Sequence, residues 1–417
     1  MAENGRTNIA NSGKLSKKDS RSFAAFIGAL DWLQIISVCF LLAVGLVFIH
    51  SIGVQVGTPV SALFFKKQFT QWIPLGFLLW GFFALQDYRK FYFKAGGVLF
   101  FLLTVAALVL VLFYGVKVYG ARRWLMVGAF RLQPSEFGKL SLILVLAWLF
   151  SSRYFNGSKW AGIITGVLVV MVPAALIYKE PDLGGALILF PIAGAMIFVS
   201  GLKWRWLLVV AVIGCAAFFA LRTLVLSGEQ GDLKDKDKKI ITSERRAGLL
   251  KDYQKKRLKV FFEPNTDISN SGHNVYQSRL AVGAGGLSGK GIGNGTQNRW
   301  GFLPQTVSNN DFIFSVIAEE TGLMGSLVLL AGYALLLYSV FRTAFYAPPY
   351  GRLIATGIGV LLFCHIYINI GMCIGLAPVT GLPLPFVSYG GSFIFVGMMA
   401  LGILQSIYRY NKEKPEE

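Results

Sequence analysis

Long runs of apolar residues divide this chain, and they limit its fold more than any other feature. A helix needs about 20 apolar residues to cross the hydrocarbon core of a membrane. Ten runs approach that length, near residues 33–51, 71–86, 96–115, 135–152, 161–178, 183–200, 206–226, 312–341, 353–376 and 389–408. Because the runs are long and rich in Leu, Phe, Gly and Trp, they favour helices over a barrel. The sequence therefore predicts an all-α integral membrane protein with about ten transmembrane helices and one large extracytoplasmic loop.

The composition argues against an ordinary soluble protein. Hydrophobic residues make up 54% of the 417 residues and charged residues only 15%, whereas soluble domains have about 25% charged residues. Such a chain has too little polar surface to cover a globule in water, and it is too apolar to be disordered. Its cysteines, Cys39, Cys215, Cys364 and Cys373, lie in apolar runs without CxxC spacing, which predicts buried thiols and neither disulfides nor zinc ligands.

The distribution of Lys and Arg predicts the orientation. With the N-terminus in the cytoplasm, most of these residues outside the one long loop fall on the cytoplasmic side, as the positive-inside rule requires. The predicted parts are a cytoplasmic tail at 1–30, a membrane domain at 31–409 containing a large extracytoplasmic loop at 227–310, and a cytoplasmic tail at 410–417. The net charge of +19 suits anionic lipid, and no nucleic-acid partner is expected.

Polar residues interrupt the apolar pattern at four places, and the first is the segment 120–139. Pro134 and Glu136 suit the first turn of a helix, and Glu136 and Lys139 lie three residues apart on one face. The segment is either a helix start with a local ion pair or part of a polar cavity that opens outward. The basic and aromatic residues at its mouth are Arg122, Arg123, Trp124 and Arg131. Such groups at an outer membrane surface suit an anionic lipid headgroup, which favours the cavity.

Carboxylates mark the second and third places. Asp182, in the segment KEPDLGG, either caps the next helix from a tight turn or belongs to a functional site. Asp311 lies where a polar loop meets an apolar run, and it is either an N-cap or a general base with a raised pKa. Glu319 and Glu320 follow in that run. Adjacent helical residues point in different directions, so we expect one of the two to pair with a basic residue elsewhere.

The fourth place is the segment 378–392, where three prolines within eight residues exclude a regular helix. At membrane depth such a backbone must be buried in protein or line a cavity. His365 precedes it and is expected to be a hydrogen-bonded interior residue, because the chain has only three histidines and a histidine metal site is disfavoured. The chain has no Walker motif, so ATP hydrolysis by that route is not expected.

Together these segments resemble the SEDS family of bacterial cell-wall polymerases, the family of RodA and FtsW. The matching pieces are GARRW, RLQPSEFGK, EPDLGG, DYQKKR, SGHNVYQSRLAVGAGGLSGKGIGNGTQ, DFIFSVIAEETGLMG and NIGMCIGLAPVTGLPLPFVSYGGS. They follow the family's order over nearly the whole chain. DYQKKR and the glycine-rich part of the next piece are more similar to the RodA branch than to the FtsW branch.

The resemblance implies ten transmembrane helices in the bacterial inner membrane. It implies a glycosyltransferase that polymerises lipid II into glycan strands on the outer face and releases undecaprenyl pyrophosphate, and the RodA branch implies a role in cell-wall elongation and cell shape. The implied partners are lipid II, the nascent glycan strand, membrane lipid and a class B penicillin-binding protein. No cofactor is certain; a divalent cation, Mg²⁺ or Mn²⁺, at the pyrophosphate is left open, and its ligands are unknown.

The resemblance also implies site residues. The family's catalytic aspartate maps onto Asp311, the candidate general base. The substrate-binding candidates are Arg122, Arg123, Trp124, Glu136, Lys139, Gln277, Lys290, Ser388 and Tyr389. The sequence departs from the family pattern just before Asp311. Asn309 and Asn310 replace a His-Thr pair and Gln305 replaces a common Glu, so the roles of those family residues are not carried over.

Other functions fit the same pattern. A transporter that flips a lipid-linked precursor would also have about ten helices, broken segments and intramembrane charges. A scaffold that only recruits wall enzymes would share the architecture, and replacing Asp311 or Arg123 would then matter little. Within the family, the FtsW-type division polymerase is the alternative to an elongation enzyme.

Overall fold

The computed structural model describes residues 28–57, 59–91, 95–118, 121–128, 130–152, 160–201, 223, 252–263 and 272–413. Every predicted apolar run that lies within this part of the chain forms a helix. The run near 206–226 lies almost entirely outside the described residues. The charged insertion at 227–248 and most of the predicted N-terminal tail also lie outside them.

In chain order the elements are α1 (Trp32–Val56), α2 (Pro59–Lys67), a π-helical segment (Gln68–Trp72), α3 (Ile73–Leu85), α4 (Tyr88–Phe91), α5 (Ala95–Tyr114), β1 (Val116–Val118), β2 (Ala121–Val127), β3 (Phe130–Leu132), α6 (Pro134–Ser151), α7 (Trp160–Lys179), α8 (Leu183–Val199), α9 (Asp252–Phe262), α10 (His273–Ala284), α11 (Thr296–Arg299), α12 (Gln305–Ser308), α13 (Ile313–Tyr346), α14 (Pro349–Ile374) and α15 (Gly391–Glu413). Six described helices are long and apolar enough to cross a membrane, and α7 and α8 contribute shorter apolar helices. The chain is therefore a helical multi-pass membrane protein, as predicted, whereas the total of ten spans stays a prediction.

The interior of the bundle is built around α6, α14 and α15, which are buried along most of their length, whereas α5 lies at the rim. Glycines let neighbouring segments approach closely. A Cβ atom at Gly45 would lie 2.6 Å from the carbonyl oxygen of Val387, and one at Gly402 would lie 2.6 Å from that of Trp80. In lipid the hydrophobic effect does not drive helices together, so close backbone packing of this kind stabilises their association.

A small antiparallel sheet joins α5 to α6, in the order β1-β2-β3. Lys117 pairs with Arg122 across β1 and β2, and Leu125 pairs with Leu132 across β2 and β3. The sequence predicted only a polar loop here. β1 and β3 have only three residues each, and the seven residues of β2 do not alternate between polar and apolar. The sequence therefore did not predict this sheet in an otherwise helical fold.

We call the polar end of the bundle the region that comprises the sheet, the 180–182 turn, residues 272–312 and the 375–390 segment. Arg123 of β2 joins the sheet to the 180–182 turn, and the hydroxyl of Ser392, just after the 375–390 segment, donates to the carbonyl of Arg131 in β3. The amide of Tyr389 in turn donates to the carbonyl of Asn309.

The opposite end is held by Asp31, which caps α1 and forms an ion pair of 2.8 Å with Arg342. Its backbone also exchanges two hydrogen bonds with the side chain of Gln405. The start of α1 is therefore fixed against both α13 and α15.

Candidate active site

Asp311 lies at the polar end, in the turn that leads into α13. Its backbone carbonyl accepts a hydrogen bond of 2.9 Å from the Asn369 side chain, which also donates to the carbonyl of Leu382 at 2.7 Å. The thiol of Cys373 lies 3.8 Å from the same Asp311 oxygen. Phe312, not Asp311, occupies the N-cap position of α13 and makes no side-chain capping bond. The backbone of Asp311 is thus fixed while its carboxylate is not used as a helix cap.

The electrostatic surroundings suit a proton acceptor. Burial raises the pKa of Asp311 to about 6; Arg257 and Arg123 oppose that rise, and Asp182 adds to it. Gly381, with φ of 78°, packs against the carboxylate, and a Cβ there would lie 3.3 Å from Oδ2. The backbone angle therefore favours glycine at this position, and a larger residue would crowd the Asp311 carboxylate. A carboxylate whose pKa lies nearer to neutrality is a better general base than an ordinary aspartate.

Arg123 connects the sheet to the turn between α7 and α8. Its Nε donates to the carbonyl of Glu180 at 3.2 Å, and its Nη2 donates to the carbonyl of Pro181. Its Nη1 lies 4.0 Å from Oδ1 of Asp182. Asp182 caps α8 by accepting from the amide of Gly185 at 3.1 Å, so its predicted capping role is confirmed. The Asp182 side chain therefore both caps α8 and interacts with Arg123.

Arg122 points elsewhere, because successive side chains of a strand lie on opposite faces. Its guanidinium donates to the carbonyls of Leu112 and Phe113 at 3.3 and 3.4 Å, at the C-terminal end of α5. A cation there satisfies free carbonyls and interacts favourably with the helix dipole. Trp124 follows Arg123 in β2 and is half-buried opposite Val116. Of the two adjacent arginines, Arg123 is the one whose charge acts on Asp311.

A buried polar chain links α6 to α14. Lys139 forms the predicted ion pair with Glu136, at 2.8 Å, and both side chains are buried. The Lys139 ammonium also lies 3.1 Å from Nε2 of His365, and Nδ1 of His365 lies 3.2 Å from the carbonyl of Pro383. Since Lys139 can only donate, Nε2 accepts and Nδ1 carries the proton that is donated to Pro383. This series of hydrogen bonds ends at Pro383, in the same segment as Gly381, which packs against Asp311.

Ser388 and Tyr389 hold the residues just before Asp311. Ser388 donates through its hydroxyl to the carbonyl of Asn310 at 2.6 Å and accepts from the amide of Leu384 at 2.8 Å. The amide of Tyr389 donates to the carbonyl of Asn309 at 2.9 Å. Both residues therefore position the turn that carries Asp311. Their direct contact with substrate stays a prediction.

The π-helical segment between α2 and α3 contributes two further residues. Gln68 donates to the carbonyl of Ser388 and accepts from the amide of Gly390, both at 3.4 Å. Trp72 donates from its indole nitrogen to the hydroxyl of Tyr389 at 3.4 Å. Such π-helical turns occur often at functional sites. Sequence reasoning missed both residues; the polar Gln68 beside an apolar run was the available indication.

The glycine-rich segment 283–295 packs on the first turns of α13. Glu319 accepts from the Lys290 ammonium at 2.7 Å and from the amide of Thr296 at 2.8 Å, so the predicted pairing of one glutamate is confirmed. Glu320 points elsewhere and accepts from Ser51 at 2.8 Å and from the amide of Gly293 at 3.0 Å. Lys290 thus fixes the segment to the bundle, and substrate binding by Lys290 stays a prediction.

Gly289→Ala is expected to lower stability by about 1–3 kcal/mol or more. The φ of Gly289 is 77°, and a Cβ would overlap the carbonyl oxygen of Glu320. The control is Gly283→Ala, where a Cβ meets nothing within 4 Å and a helical residue gains propensity. The measurement is the fraction of protein that stays monodisperse in detergent after heating. Equal melting of the two variants would contradict the packing of this segment.

Gln277 lies half-buried on α10, and no described contact joins it to Asp311. The described residues also include no group of three or more His, Cys, Asp or Glu side chains that could hold a metal. A site built from protein ligands alone therefore does not fit the described part of the chain. A cation held by one or two carboxylates together with substrate phosphates, as Mg²⁺ often is, stays a prediction.

Comparison with known proteins decides the family. The family model of cell cycle proteins that groups FtsW, RodA and SpoVE matches residues 31–413. The chain belongs to this family, the SEDS family. Its sequence is 36% identical to peptidoglycan glycosyltransferase MrdB of Escherichia coli K12, over 75% of this chain and 77% of that protein. The resemblance inferred from the motifs is therefore confirmed.

Solved structures support the same fold. A chain of a peptidoglycan synthase complex, studied for its coordination of polymerization and crosslinking, aligns with a TM-score of 0.72 and 28% identity, over 92% of this chain and 99% of that one. The crystal structure of rod shape determining protein RodA from Thermus thermophilus aligns with a TM-score of 0.63 and 26% identity, over 91% and 97% of the two chains.

The residues predicted from sequence fall into three groups. The charges of Arg123 and Asp182 act on Asp311, and Ser388 and Tyr389 hold the turn that carries it. Glu136 and Lys139 reach the same region through His365. Arg122, Trp124, Gln277 and Lys290 lie in other contacts or have none that link them to Asp311. Arg257 and Asn369 were not predicted as site residues; Asn369 stood out as a polar residue in an apolar run, whereas nothing distinguished Arg257 from its basic neighbours.

Proposed function

We propose that this SEDS protein is a peptidoglycan glycosyltransferase that polymerises lipid II into glycan strands and releases undecaprenyl pyrophosphate. The observation that carries the proposal is Asp311, a carboxylate with a raised pKa beside two arginines at the polar end of a membrane bundle. Relatives such as MrdB carry the name peptidoglycan glycosyltransferase. This name supports the enzyme class, and the geometry supports the acid-base role.

The reaction joins the 4-hydroxyl of an acceptor sugar to C1 of a donor sugar that carries a lipid pyrophosphate. Asp311 takes the hydroxyl proton as general base. Arg123 and Lys139 supply positive charge for the departing pyrophosphate. Arg122 is not assigned this role, because its guanidinium binds the carbonyls that end α5. A divalent cation, if one binds, would add positive charge at the phosphates. The tethers from Asn369, Ser388 and Tyr389 keep the turn of Asp311 in place during turnover.

The proposed setting is the bacterial inner membrane, with both termini in the cytoplasm and the polar end outside. A class B penicillin-binding protein is the proposed partner, since a structural neighbour comes from a complex that coordinates polymerization with crosslinking. Similarity to MrdB and to RodA favours elongation and cell shape over division. Restoration of rod shape in cells depleted of their own elongation polymerase would support that choice.

The direct test is polymerisation of labelled lipid II by the purified protein together with its class B penicillin-binding protein. Glycan strands that lengthen with time are the expected product. A polymerase of known activity serves as the positive control for substrate and detergent. If that control works and this protein forms no strands, the proposal fails. Movement of labelled lipid II across vesicles by the same preparation would then support a flippase.

Arg123→Gln is expected to reduce polymerisation by about 10²-fold, because removing one charge that stabilises a developing anion typically has that effect. Arg122→Gln is the matched control, one residue away in the same strand, and should lose less than about threefold since its partners are the carbonyls that end α5. Initial rates at saturating lipid II would separate the two. Equal losses would contradict the assignment of Arg123 to the site.

A further inference from the structure

Glu180 is a buried carboxyl group that the mechanism above does not use. It lies in the turn between α7 and α8 and is 1% exposed. Neither carboxyl oxygen has a hydrogen-bond partner within the described part of the chain. Its backbone is well bonded, since its amide donates to the carbonyls of Leu176 and Ile177, both at 3.1 Å. The side chain alone is left unsatisfied.

Among the described residues, Arg123 does not use Glu180 as the anion of its ion pair. The guanidinium binds the backbone carbonyls of Glu180 and Pro181, and the carboxylate in its salt bridge belongs to Asp182. A charged Glu180 would therefore be a buried anion with no hydrogen-bond donor among the described residues, which is strongly unfavourable. A neutral carboxylic acid in the same place carries a much smaller penalty.

The charged groups around Glu180 favour the same state. Asp182, at the start of α8, disfavours a second negative charge, and Arg123, from β2, is the cation that opposes it. Lys179 is adjacent in the chain but its side chain is exposed. Burial is the main cause that raises the pKa of Glu180 to about 8. The charges of Arg123 and Asp182 also act on Asp311, as does the charge of Arg257.

We propose that Glu180 is a positioning residue that works as a neutral carboxylic acid and keeps Arg123 bound to the turn beside Asp311. When Glu180 loses its proton, the new carboxylate competes for the guanidinium, because a charged acceptor binds Arg more strongly than a carbonyl does. Arg123 then leaves the backbone of the turn and the field that acts on Asp311 changes. The proton itself passes to solvent, and no bond other than the O–H bond is broken.

The pH dependence follows from the sign of this change. Glu180 is protonated below about pH 8 and ionises above it, so kcat should fall as pH rises through that value. The folded protein binds this proton more tightly than the unfolded chain, whose carboxyl has a pKa of 4.5. The contribution of Glu180 to stability therefore declines as pH rises from about 4.5 to about 8.

Glu180→Gln tests the proposal, which rests on the proposed function, because the amide keeps the shape of the neutral acid and cannot ionise. At neutral pH the variant should retain activity within about twofold, and the fall of kcat above about pH 8 should disappear. Glu263→Gln, at the end of α9, is the control and should keep the wild-type profile. An unchanged alkaline limb in Glu180→Gln, or a loss above about tenfold at neutral pH, overturns the proposal.

Infrared difference spectroscopy provides a reading that does not depend on catalysis. The wild-type protein should show a carboxylic acid carbonyl band at neutral pH that is lost above about pH 8 and is absent from Glu180→Gln. Absence of that band from the wild type overturns the neutral state of Glu180. If the wild type polymerises no lipid II at any pH, the proposed function fails, whereas the band still decides whether Glu180 holds its proton.

Discussion

Asp311→Asn is expected to abolish glycan polymerisation while leaving the protein folded and inserted. The amide keeps the size of the side chain and the backbone bonds from Asn369 and Cys373, but it cannot accept the proton of the sugar hydroxyl. Loss of a general base lowers a rate by about 10²–10⁴-fold. Initial rates on labelled lipid II, measured with the penicillin-binding protein present, would show this loss as a fall in kcat with little change in KM.

The same assignment predicts an acidic limit to activity. Since burial raises the pKa of Asp311 to about 6, the wild-type kcat should be half-maximal near that pH and fall below it. The raised pKa also means that the folded protein binds this proton more tightly than the unfolded chain. Charged Asp311 therefore lowers stability as pH rises from 3.8 to about 6. Asp311→Asn should melt at the same temperature as the wild type or higher at neutral pH.

Asp87→Asn is the matched control, because Asp87 pairs with the exposed Arg89 next to α4. Its activity should remain within about twofold of the wild type, as expected for an exposed ion pair. Full activity of Asp311→Asn would exclude Asp311 as the base. An inactive variant that also melts far below the wild type would point to misfolding, and the melting temperature separates these outcomes.

Local contacts of this protein could be predicted from the sequence. Pro134 and Glu136 start α6 as expected, Lys139 pairs with Glu136 one turn away, and Asp182 caps α8. Each depends on residues within four positions, where helix geometry fixes the distance. The family motifs extended this reach and made Asp311 the candidate base, because they join segments that no local rule connects.

The contacts that complete the site join distant parts of the chain. Lys139 and His365 are 226 residues apart, and Gln68 and Ser388 are 320 apart. Neither hydrophobic period nor residue type encodes such pairings, since many packings would bury these polar groups equally well. The separate roles of Arg122 and Arg123 depend on strand β2, which was not predicted. In a strand, successive side chains point to opposite faces, and this places the two arginines in different surroundings.

The second large effect is expected for Lys139→Met. This change removes the only cation in the described chain that contacts Glu136 and His365 within the bundle. Breaking a buried ion pair from one side lowers stability by about 3–5 kcal/mol, because the remaining charge stays buried and unpaired. Nε2 of His365 would also lose its donor, so that of the two described hydrogen bonds of the ring only the one to Pro383 beside Asp311 would remain. Both thermal stability in detergent and lipid II polymerisation should therefore fall sharply.

The double variant Glu136→Gln with Lys139→Met separates stability from activity. Removing both charges leaves no buried ion, so most of the lost stability should return, to within about 1 kcal/mol of the wild type. Activity should not return, because the chain from Lys139 through His365 to Pro383 is still interrupted and the positive charge is still missing. The coupling between the two sites is read from the complete cycle of single and double variants. A stable double variant with wild-type rates would show that the pair serves folding alone.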